Sequence, residues 1–387
     1  MKREKQKKVI LVGGGTGGHI VPIIEIYKRL KESGENVSVT VVGAGTEVEK
    51  HLYKSLGDSY KKITTGKWKR QLTVTNLAEM GKFILGVIQS LWVVFGIRPG
   101  VIFAKGGYAT LPVVVAAKLM RIPYFIHESD IEMGLVNKIA SRWAKKVFVG
   151  FPLKFYPDLP VDKLEYSGPI VRSELQENCS ARLQTFSFTN DLPVIFVTGG
   201  SQGSLTINRN VAKALPELLK RYNVIHQAGA NDLSWLQEYK ESALSSAVHK
   251  RYFLVDFLKF EDGRDLMVDA ICLADLVIAR AGANTISELA IKGKPMILIP
   301  YKHAASDHQT KNARFLEELN AALVISDDKL TPRNIIEKID ELFLNDGREL
   351  KLLGHNAMEM YSKNGADAIL QTILHQLQLN KKKNNQK

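Results

Sequence analysis

Near its start the chain reads Lys8-Val-Ile-Leu-Val-Gly-Gly-Gly-Thr-Gly-Gly-His19, an apolar run followed by a glycine-rich loop. Val9–Val12 is typical of a buried strand in a parallel sheet, and residues 20–30 have the apolar spacing of a helix. Glycines between a strand and a helix let the backbone turn sharply and approach a ligand closely. The N–H groups at the start of a helix favour an anion. The stretch therefore predicts an α/β fold with a phosphate-bearing ligand.

The glycine pattern alone does not identify that ligand. Gly13, Gly15 and Gly18 match the dinucleotide pattern G-x-G-x-x-G, which also requires an acidic residue at the end of the second strand. The predicted second strand, Val37–Val42, is followed by no carboxylate before Glu47. The sequence therefore favours a ligand other than NAD.

His19 ends the loop and is the side chain best suited to proton transfer, because the ordinary pKa of histidine is about 6.5. A helix N-terminus lowers that pKa and keeps the imidazole neutral, which is the form that a general base needs. The alternative is that His19 only starts the helix and hydrogen-bonds the loop.

The composition is that of a soluble protein with two domains. The chain has 387 residues, of which 45% are hydrophobic and 24% charged, as in ordinary globular proteins. No apolar stretch is expected to reach the roughly 18 residues of a membrane span, and the basic N-terminus leads into a strand rather than a signal peptide. Cys179 and Cys272 do not make a disulfide framework, which favours a cytoplasmic location.

The net charge of +13 lies largely at the two ends of the chain. A nucleic-acid partner is not expected, because no aromatic-basic repeat or zinc-ligand spacing accompanies the charge. An anionic membrane surface fits better, since a basic cluster without acids precedes an apolar run at 83–95. The cluster consists of Lys61, Lys62, Lys67, Trp68, Lys69 and Arg70. The alternative is that the apolar run is core and the lysines form a solvated face.

Two series of short apolar strands alternate with helical patterns, which predicts two doubly wound parallel α/β domains. The first series is Val9–Val12, Val37–Val42, Val101–Ala104, Tyr124–Ile126 and Val147–Val149. The second is Val194–Thr198, Val224–Gln227, Tyr252–Val255, Leu276–Ala279, Met296–Ile299 and Ala322–Ile325. A last amphipathic helix is predicted from the spacing of Ala366, Ile369, Leu370, Ile373, Leu374 and Leu377.

Six polar or glycine-rich loops follow predicted strands, at the edge of a parallel sheet where ligands bind. They are residues 13–19, 105–108, 127–130, 199–203, 280–285 and 301–309. The loop at 199–203 and the helix after Arg280 suit a diphosphate, and Glu288 suits two ribose hydroxyls or, alternatively, only complements the helix dipole. Glu128, or Asp130, would orient a sugar acceptor or support His19. No metal or cofactor is expected, because there is no Asp-x-Asp pair and no metal-ligand spacing of histidines.

Together these residues resemble the MurG family, bacterial enzymes that transfer N-acetylglucosamine from UDP-N-acetylglucosamine to lipid I and so make lipid II. The resemblance spans about Val9 to Leu377. Its motifs are Gly-Gly-Thr-Gly-Gly-His at 14–19, Gly-Gly-Tyr at 106–108, His-Glu at 127–128 with Gly134-Leu135 and Asn137-Lys138, Gly-Gly-Ser-Gln-Gly at 199–203, Arg280 with Gly282-Ala283 and Glu288, and Gln309 with Asn312-Ala313.

The resemblance implies a GT-B fold, with two Rossmann-like domains and the active site in the cleft between them. Residues 1–165 would bind the acceptor and the membrane, and residues 166–354 would bind the UDP-sugar. A last helix, about 355–379, would pack back on the first domain. The enzyme would be inverting, and peripheral to the cytoplasmic face of the cell membrane.

The same resemblance implies roles for individual residues. His19 and Glu128 would be catalytic, with His19 deprotonating the C4 hydroxyl of the acceptor MurNAc. Donor-binding residues would be Thr16, Gly17, Gly18, Arg172, Ser201, Arg280, Gly282, Ala283, Asn284, Thr285, Glu288 and Gln309. Acceptor-side residues would be Gly106, Gly107, Tyr108 and Asn137, and the membrane residues Lys67, Trp68, Lys69 and Arg70.

Several positions depart from the family pattern, and one of them is Pro169, which stands one residue early between Gly168 and Arg172. Asp130 stands where asparagine is common, Ala281 where serine is common, and His308 replaces the first of a pair of glutamines. Two alternatives therefore stay open: a GT-B glycolipid enzyme that uses another UDP-hexose, and a non-catalytic UDP-sugar sensor.

Overall fold

The computed structural model of the chain describes residues 6–66, 75–177, 179, 185–186, 188, 190–261, 264–361 and 364–385. The chain divides into two compact units, each with one main parallel β-sheet and its helices. The first unit is Met1–Val171 with Lys363–Lys387, and the second is Arg172–Ser362. The prediction of two parallel α/β domains is confirmed.

The first unit is built on seven parallel strands. They are β1 Lys7–Val12, β2 Val37–Gly43, β3 Tyr60–Lys62, β4 Val101–Ala104, β5 Tyr124–Glu128, β6 Lys146–Val149 and β7 Leu164–Tyr166. The spatial order is β3-β2-β1-β4-β5-β6-β7, so the direction of winding reverses between β1 and β4. The helices are α1 Gly17–Glu32, α2 Glu47–Leu52, α3 Thr75–Ile97, α4 Thr110–Leu119 and α5 Leu135–Ser141.

The five strands predicted in this half are confirmed, because each carries a run of buried apolar residues. The edge strands β3 and β7 were not predicted. Each has three residues, and the two lysines of β3 are exposed. A strand at the edge of a sheet needs no apolar run, so hydrophobic periodicity gives no signal there.

Helix α3 corrects the expectation that no apolar stretch is long enough to span a membrane. Leu77–Ile97 is long and apolar enough by length and composition, although one such helix is weak evidence for a span, and 17% of the tested window is buried. Glu79 and Lys82 interrupt the run in the sequence but form an ion pair of 2.6 Å. Trp92 is 72% and Ile84 52% exposed. The face that carries them is therefore not core.

The second unit repeats the doubly wound plan. Its main strands are β8 Val194–Thr198, β9 Asn223–Gln227, β10 Tyr252–Val255, β13 Leu276–Ala279, β14 Met296–Leu298 and β15 Leu323–Val324, and a hairpin is formed by β11 Phe260–Glu261 and β12 Arg264–Asp265. The order β10-β9-β8-β13-β14-β15 reverses between β8 and β13. The helices are α6 Leu205–Leu218, α7 Leu233–Ala243, α8 Leu266–Leu273, α9 Ala283–Ile291, α10 His308–Glu318 and α11 Pro332–Met360, which is interrupted at 344–347.

The last helix, α12 Gly365–Asn385, belongs to the first unit and packs on α1. Its predicted apolar face is confirmed, because Ile369 and Ile373 are buried in the same cluster as Ile26 of α1. Arg29 of α1 donates to Asp367 of α12. The N-terminal sheet is thus covered by a helix from the far end of the sequence.

A disulfide joins Cys179 to Cys272 in the second unit, with 5.4 Å between their Cα atoms. Two cysteines do not predict a disulfide framework, and this bridge was not predicted. Both residues lie at the same core cluster, which brings together cysteines that are 93 residues apart.

Candidate active site

The reversal of winding in the first unit brings two predicted loops together. Strands β1 and β4 are neighbours, with Val12 opposite Ala104. The loop at 13–19 follows β1, and the loop at 105–108 follows β4. A crevice opens at such a switch point in parallel α/β sheets, so these loops are placed where ligands bind.

His19 lies in the first turn of α1, and Thr16 is the N-cap of that helix. The Thr16 hydroxyl lies 3.3 Å from His19 Nδ1. The Nε2 edge of the ring faces Gly106, where a Cβ atom would lie 3.2 Å from Nε2 and 3.4 Å from Asn137 Nδ2. Gly106 therefore leaves room beside His19, and its φ of +109° is one that other residues rarely adopt.

The other acceptor-side residues lie against the same loop. A Cβ atom at Gly107 would lie 2.2 Å from the carbonyl oxygen of Gly14, so only glycine allows the two loops to approach this closely. The ring of Tyr108 lies beside Gly15 and is 42% exposed. The structure thus brings together the residues predicted for the acceptor side and His19.

Glu128 is buried at the end of β5 and organises the loop that follows. It accepts hydrogen bonds from three backbone N–H groups, those of Ser129, Asp130 and Gly134, at 2.8–3.0 Å, and from Asn137 Nδ2 at 2.9 Å. Burial and the charge of Asp130 raise the pKa of Glu128, against the effects of Lys105 and the hydrogen bonds. Glu128 was predicted either to orient a sugar acceptor or to support His19. These contacts favour the second role, since Asn137 lies beside Gly106, which faces His19.

Lys105 is a buried cation next to this carboxylate. Its Nζ donates to Ser129 Oγ at 2.7 Å. Burial lowers the pKa of Lys105, whereas the charges of Glu128 and Asp130 raise it, and the net shift is downward. Lys105 and Glu128 together fix the loops after β4 and β5.

Glu49 was not predicted as a site residue. This buried side chain of α2 accepts hydrogen bonds from the N–H groups of Gly15 and Gly45, both at 2.7 Å, and from the Tyr60 hydroxyl at 2.8 Å. Tyr53 donates to the carbonyl oxygen of Gly13 at 2.8 Å. Burial, and then the hydrogen bond and charge of Glu49, raise the pKa of Tyr60. The sequence signal for Glu49 is a carboxylate shortly after Gly43 and Gly45, where the dinucleotide pattern would place only a ribose ligand.

The second unit has its own switch point, where the loops after β8 and β13 are neighbours. The loop at 199–203 ends at Ser204, the N-cap of α6. Gln227 of β9 donates to Thr198 Oγ1 at 3.0 Å and to the carbonyl oxygen of Gly200 at 3.2 Å. Ser201 is exposed in the loop, as a donor-binding residue requires.

Arg280 follows β13 but is held by its surroundings. Its guanidinium donates to Ser204 Oγ at 2.7 Å and to Asp327 at 2.5 Å, and also to the carbonyl oxygens of Ile299 and Pro300. The sequence predicted a charge reaching toward ligand and did not predict Asp327 as its partner. A nearly buried guanidinium needs such partners, and they place a positive charge at the start of α6.

Arg172 and Glu288, both predicted to bind the donor, form an ion pair. Asp265, which was not predicted, lies 2.9 Å from Arg172 Nε. Burial would lower the pKa of Arg172, but the charges of Glu288, Asp265 and Glu174 outweigh it and raise the pKa. Arg172 and Glu288 are 116 residues apart, and no sequence spacing indicates their contact.

The remaining donor candidates lie on α1, α9 and α10. Gly282 is the N-cap of α9, and Ala283, Asn284 and Thr285 form its first turn. Gln309 of α10 accepts a hydrogen bond from the N–H of Tyr301 at 2.9 Å. Gly17 and Gly18 begin α1 in the first unit. The membrane residues Lys67, Trp68, Lys69 and Arg70 lie outside the described residues.

Comparison with known proteins identifies both halves of the chain. The glycosyltransferase family 28 N-terminal domain matches residues 9–149, and the glycosyltransferase family 28 C-terminal domain matches residues 194–373. Among solved structures, that of Acinetobacter baumannii MurG has a TM-score of 0.69 and 25% identity, and covers 95% of this chain and 99% of that one. A Neisseria meningitidis UDP-GlcNAc 2-epimerase bound to UDP-GlcNAc has a TM-score of 0.64 at 15% identity, covering 95% of this chain and all of its own, and shows likeness of fold alone.

Curated relatives match over nearly the whole chain. A Bacillus cereus protein named UDP-N-acetylglucosamine--N-acetylmuramyl-(pentapeptide) pyrophosphoryl-undecaprenol N-acetylglucosamine transferase 2 is 34% identical, covering 95% of this chain and 99% of its own length. A Lachnospira eligens transferase named for the same reaction is 36% identical over 87% of this chain and 91% of its own. The chain therefore belongs to glycosyltransferase family 28 and, within it, to the MurG family.

Proposed function

We propose that this protein transfers N-acetylglucosamine from UDP-N-acetylglucosamine to lipid I and so forms lipid II. The observation that carries the proposal is the 34% identity to a transferase of this name over 95% of the chain. The site contacts support it, because His19, Gly106 and Asn137 meet in the first unit while the second unit has a glycine loop with Arg280 at a helix N-terminus.

The proposed reaction is an inverting displacement. The C4 hydroxyl oxygen of the acceptor MurNAc attacks the anomeric carbon, the bond from that carbon to the UDP oxygen breaks, and the hydroxyl proton passes to His19 Nε2. When Nδ1 carries the ring proton and donates to the Thr16 hydroxyl, Nε2 is unprotonated and can accept the hydroxyl proton. Glu128 supports Asn137 and the acceptor loop, with Gly107 and Tyr108 beside them.

The UDP leaving group would be stabilised by oriented dipoles and cations. In this proposal Ser201, the start of α6 and Arg280 serve the diphosphate. Gly282, Ala283, Asn284, Thr285 and Glu288 serve the nucleotide, Arg172 and Gln309 serve the donor, and Thr16, Gly17 and Gly18 border the transferred sugar.

The test is transfer of radiolabelled N-acetylglucosamine from its UDP donor to a lipid I analogue by purified protein. UDP-glucose and UDP-galactose, supplied separately, address the departure at His308. Transfer of only another hexose would identify a different glycolipid enzyme, and UDP-sugar binding without any transfer would identify a sensor.

We further propose that the first unit binds an anionic membrane surface from the cytoplasmic side as a peripheral protein. The support is the exposed apolar face of α3, which carries Ile84, Ile88, Trp92 and Phe95, with Lys61 and Lys62 exposed on β3. Basic and apolar side chains together suit anionic headgroups.

Vesicle sedimentation tests this surface. Ile84→Ser with Trp92→Ser should release the protein from anionic vesicles, since each apolar side chain buried in lipid contributes about 1.5–3 kcal/mol. Changing Lys67, Lys69 and Arg70 to Glu should weaken binding by about 1 kcal/mol per cation. Leu352→Ser, at an exposed apolar position of α11, is the matched control. Unaltered sedimentation of all variants would assign membrane binding to the basic ends of the chain.

A further inference from the structure

Glu49 is a buried carboxylate that the proposed reaction does not use. Its Oε1 accepts a hydrogen bond from the Gly15 N–H, and its Oε2 accepts from the Gly45 N–H and the Tyr60 hydroxyl. The loop after β1, the loop after β2 and the start of β3 therefore meet at one side chain. Hydrogen bonds to a carboxylate are stronger than those between neutral groups, so Glu49 restrains the loop that contains Gly15.

Two nearby glycines lie so close to this carboxylate that a side chain at either position would collide with it. A Cβ atom at Gly14 would lie 2.3 Å from Glu49 Oε1, and one at Gly43 would lie 2.4 Å from Oε2. Neither distance is possible without movement of the carboxylate. Gly14 and Gly43 therefore leave space for Glu49, and not only for a ligand.

The loop held by Glu49 determines where His19 lies. Gly15 precedes Thr16, the N-cap of α1, and its φ of +94° sets the turn into the helix. A Cβ atom at Gly13 would lie 2.8 Å from the carbonyl oxygen of His19, so the loop is packed directly beneath that residue. A shift at Gly15 would consequently move the His19 ring relative to Gly106.

We infer that Glu49 is a positioning residue for His19: its carboxylate fixes the glycine loop so that the ring faces Gly106 and Asn137. The inference rests on the proposed role of His19 as the base. Glu49 touches no reacting atom and acts only through the loop.

Glu49→Gln tests this with little change of shape. Whichever way the amide is turned, its NH₂ group faces either the Gly15 N–H or the Gly45 N–H, and one backbone hydrogen bond is lost. We expect kcat to fall roughly 10- to 100-fold through misplacement of His19, while the KM for UDP-N-acetylglucosamine changes less than about twofold. Hydrogen exchange should be faster at the Gly15 or the Gly45 amide, whichever faces the NH₂ group, and this readout is independent of activity.

Two further variants complete the test. Tyr60→Phe removes one donor to Glu49 and a second acceptor of the Gly45 N–H, but it keeps both backbone hydrogen bonds to the carboxylate, so kcat should fall only a few-fold with little change in Tm. Glu47→Gln is the matched control on the same helix, since Glu47 is 87% exposed and pairs with Lys50, and it should behave as wild type. If Glu49→Gln does not fold, Tyr60→Phe decides, and a wild-type kcat for it would overturn the inference.

His19→Ala, measured in the same assay, separates the two hypotheses. If His19→Ala keeps most of its activity, the proposed base is wrong whatever Glu49 does. If His19→Ala is inactive while Glu49→Gln keeps the kcat of Glu47→Gln, Glu49 only stabilises the fold. A rise in donor KM at unchanged kcat would also contradict a positioning role.

Discussion

The two glycine loops of the molecule have equivalent places in their sheets but are supported by opposite chemistry. In the first unit, the Gly15 N–H donates to the buried carboxylate of Glu49. In the second, the neutral amide of Gln227 donates to the carbonyl oxygen of Gly200, and the Arg280 guanidinium binds Ser204 at the start of α6. One loop is held by a negative charge, and the other has a positive charge beside it.

Because of this difference, we expect the two loops to bind different ligands. A phosphate at Gly15 would compete with the charge of Glu49 for the same N–H group, whereas a phosphate at the second loop gains from Arg280 and the dipole of α6. The second loop therefore suits the diphosphate. The first loop, for which the sequence predicted a phosphate-bearing ligand, suits an uncharged hydroxyl and the proton that it loses, because its Gly15 N–H is already bonded to Glu49. Similar glycine patterns need not bind similar ligands.

The largest effect should come from the first loop. His19→Ala should lower kcat by roughly 10²–10⁴-fold, the range for losing a general base, while UDP binding measured by calorimetry stays as in wild type. If the variant kept most of the kcat, His19 would not be the base, and the first loop would not differ from the second in the way proposed.

Glu288→Gln tests the nucleotide side of the second unit. It should weaken UDP-N-acetylglucosamine binding at least tenfold, or about 1.4 kcal/mol, because the carboxylate that pairs with Arg172 is lost and, in the proposed donor site, this carboxylate would accept from two ribose hydroxyls. A 2′-deoxyribose donor should bind wild type poorly and lose little more in the variant, since a shared contact makes losses non-additive. Simple addition of the two losses would show that the ribose is held elsewhere.

Gln227→Glu places a carboxylate beside the second loop, as Glu49 does beside the first. A carboxylate facing the carbonyl oxygen of Gly200 should repel both that oxygen and the diphosphate, and UDP affinity should fall several-fold, about 1 kcal/mol. Gln237→Glu adds the same charge at an exposed position of α7 and should leave affinity unchanged. Equal losses in both variants would mean that overall charge, not the loop, is responsible.

Chelation should have the smallest effect. If N–H groups of the second loop and Arg280 hold the diphosphate, transfer should proceed in EDTA at the rate found without it. Loss of transfer that Mg²⁺ or Mn²⁺ restores would show that these groups are insufficient.

The sequence predicted the fold where apolar runs mark buried strands. Val9–Val12 and Val194–Thr198 are such runs, and glycines end both of them. It missed β3, whose lysines are exposed, and the length of the apolar helix around Ile84, because Glu79 and Lys82 interrupt the pattern without interrupting the helix.

The site was predicted where residues follow strands, since parallel strands bring their ends together. His19 and Gly106 were predicted in this way, whereas Asn137 was predicted from the resemblance to the MurG family. Partners that meet only in three dimensions were not: Glu49 lies 34 residues from Gly15, and Asp327 lies 47 from Arg280. Burial forces each charge to find a counterpart, but sequence spacing does not say which.

The return of α12 to the first unit bears on how the protein is made. Ile369 and Ile373 complete the core around Ile26, yet they are synthesised after the whole of the second unit, Arg172–Ser362. Domains usually fold as units during synthesis, with the N-terminal one first. In this chain, synthesis of the second unit is complete before synthesis of the first unit is. The half that bears His19 is therefore begun first and completed last, and a nascent chain stalled before Gly365 would contain that half without its covering helix.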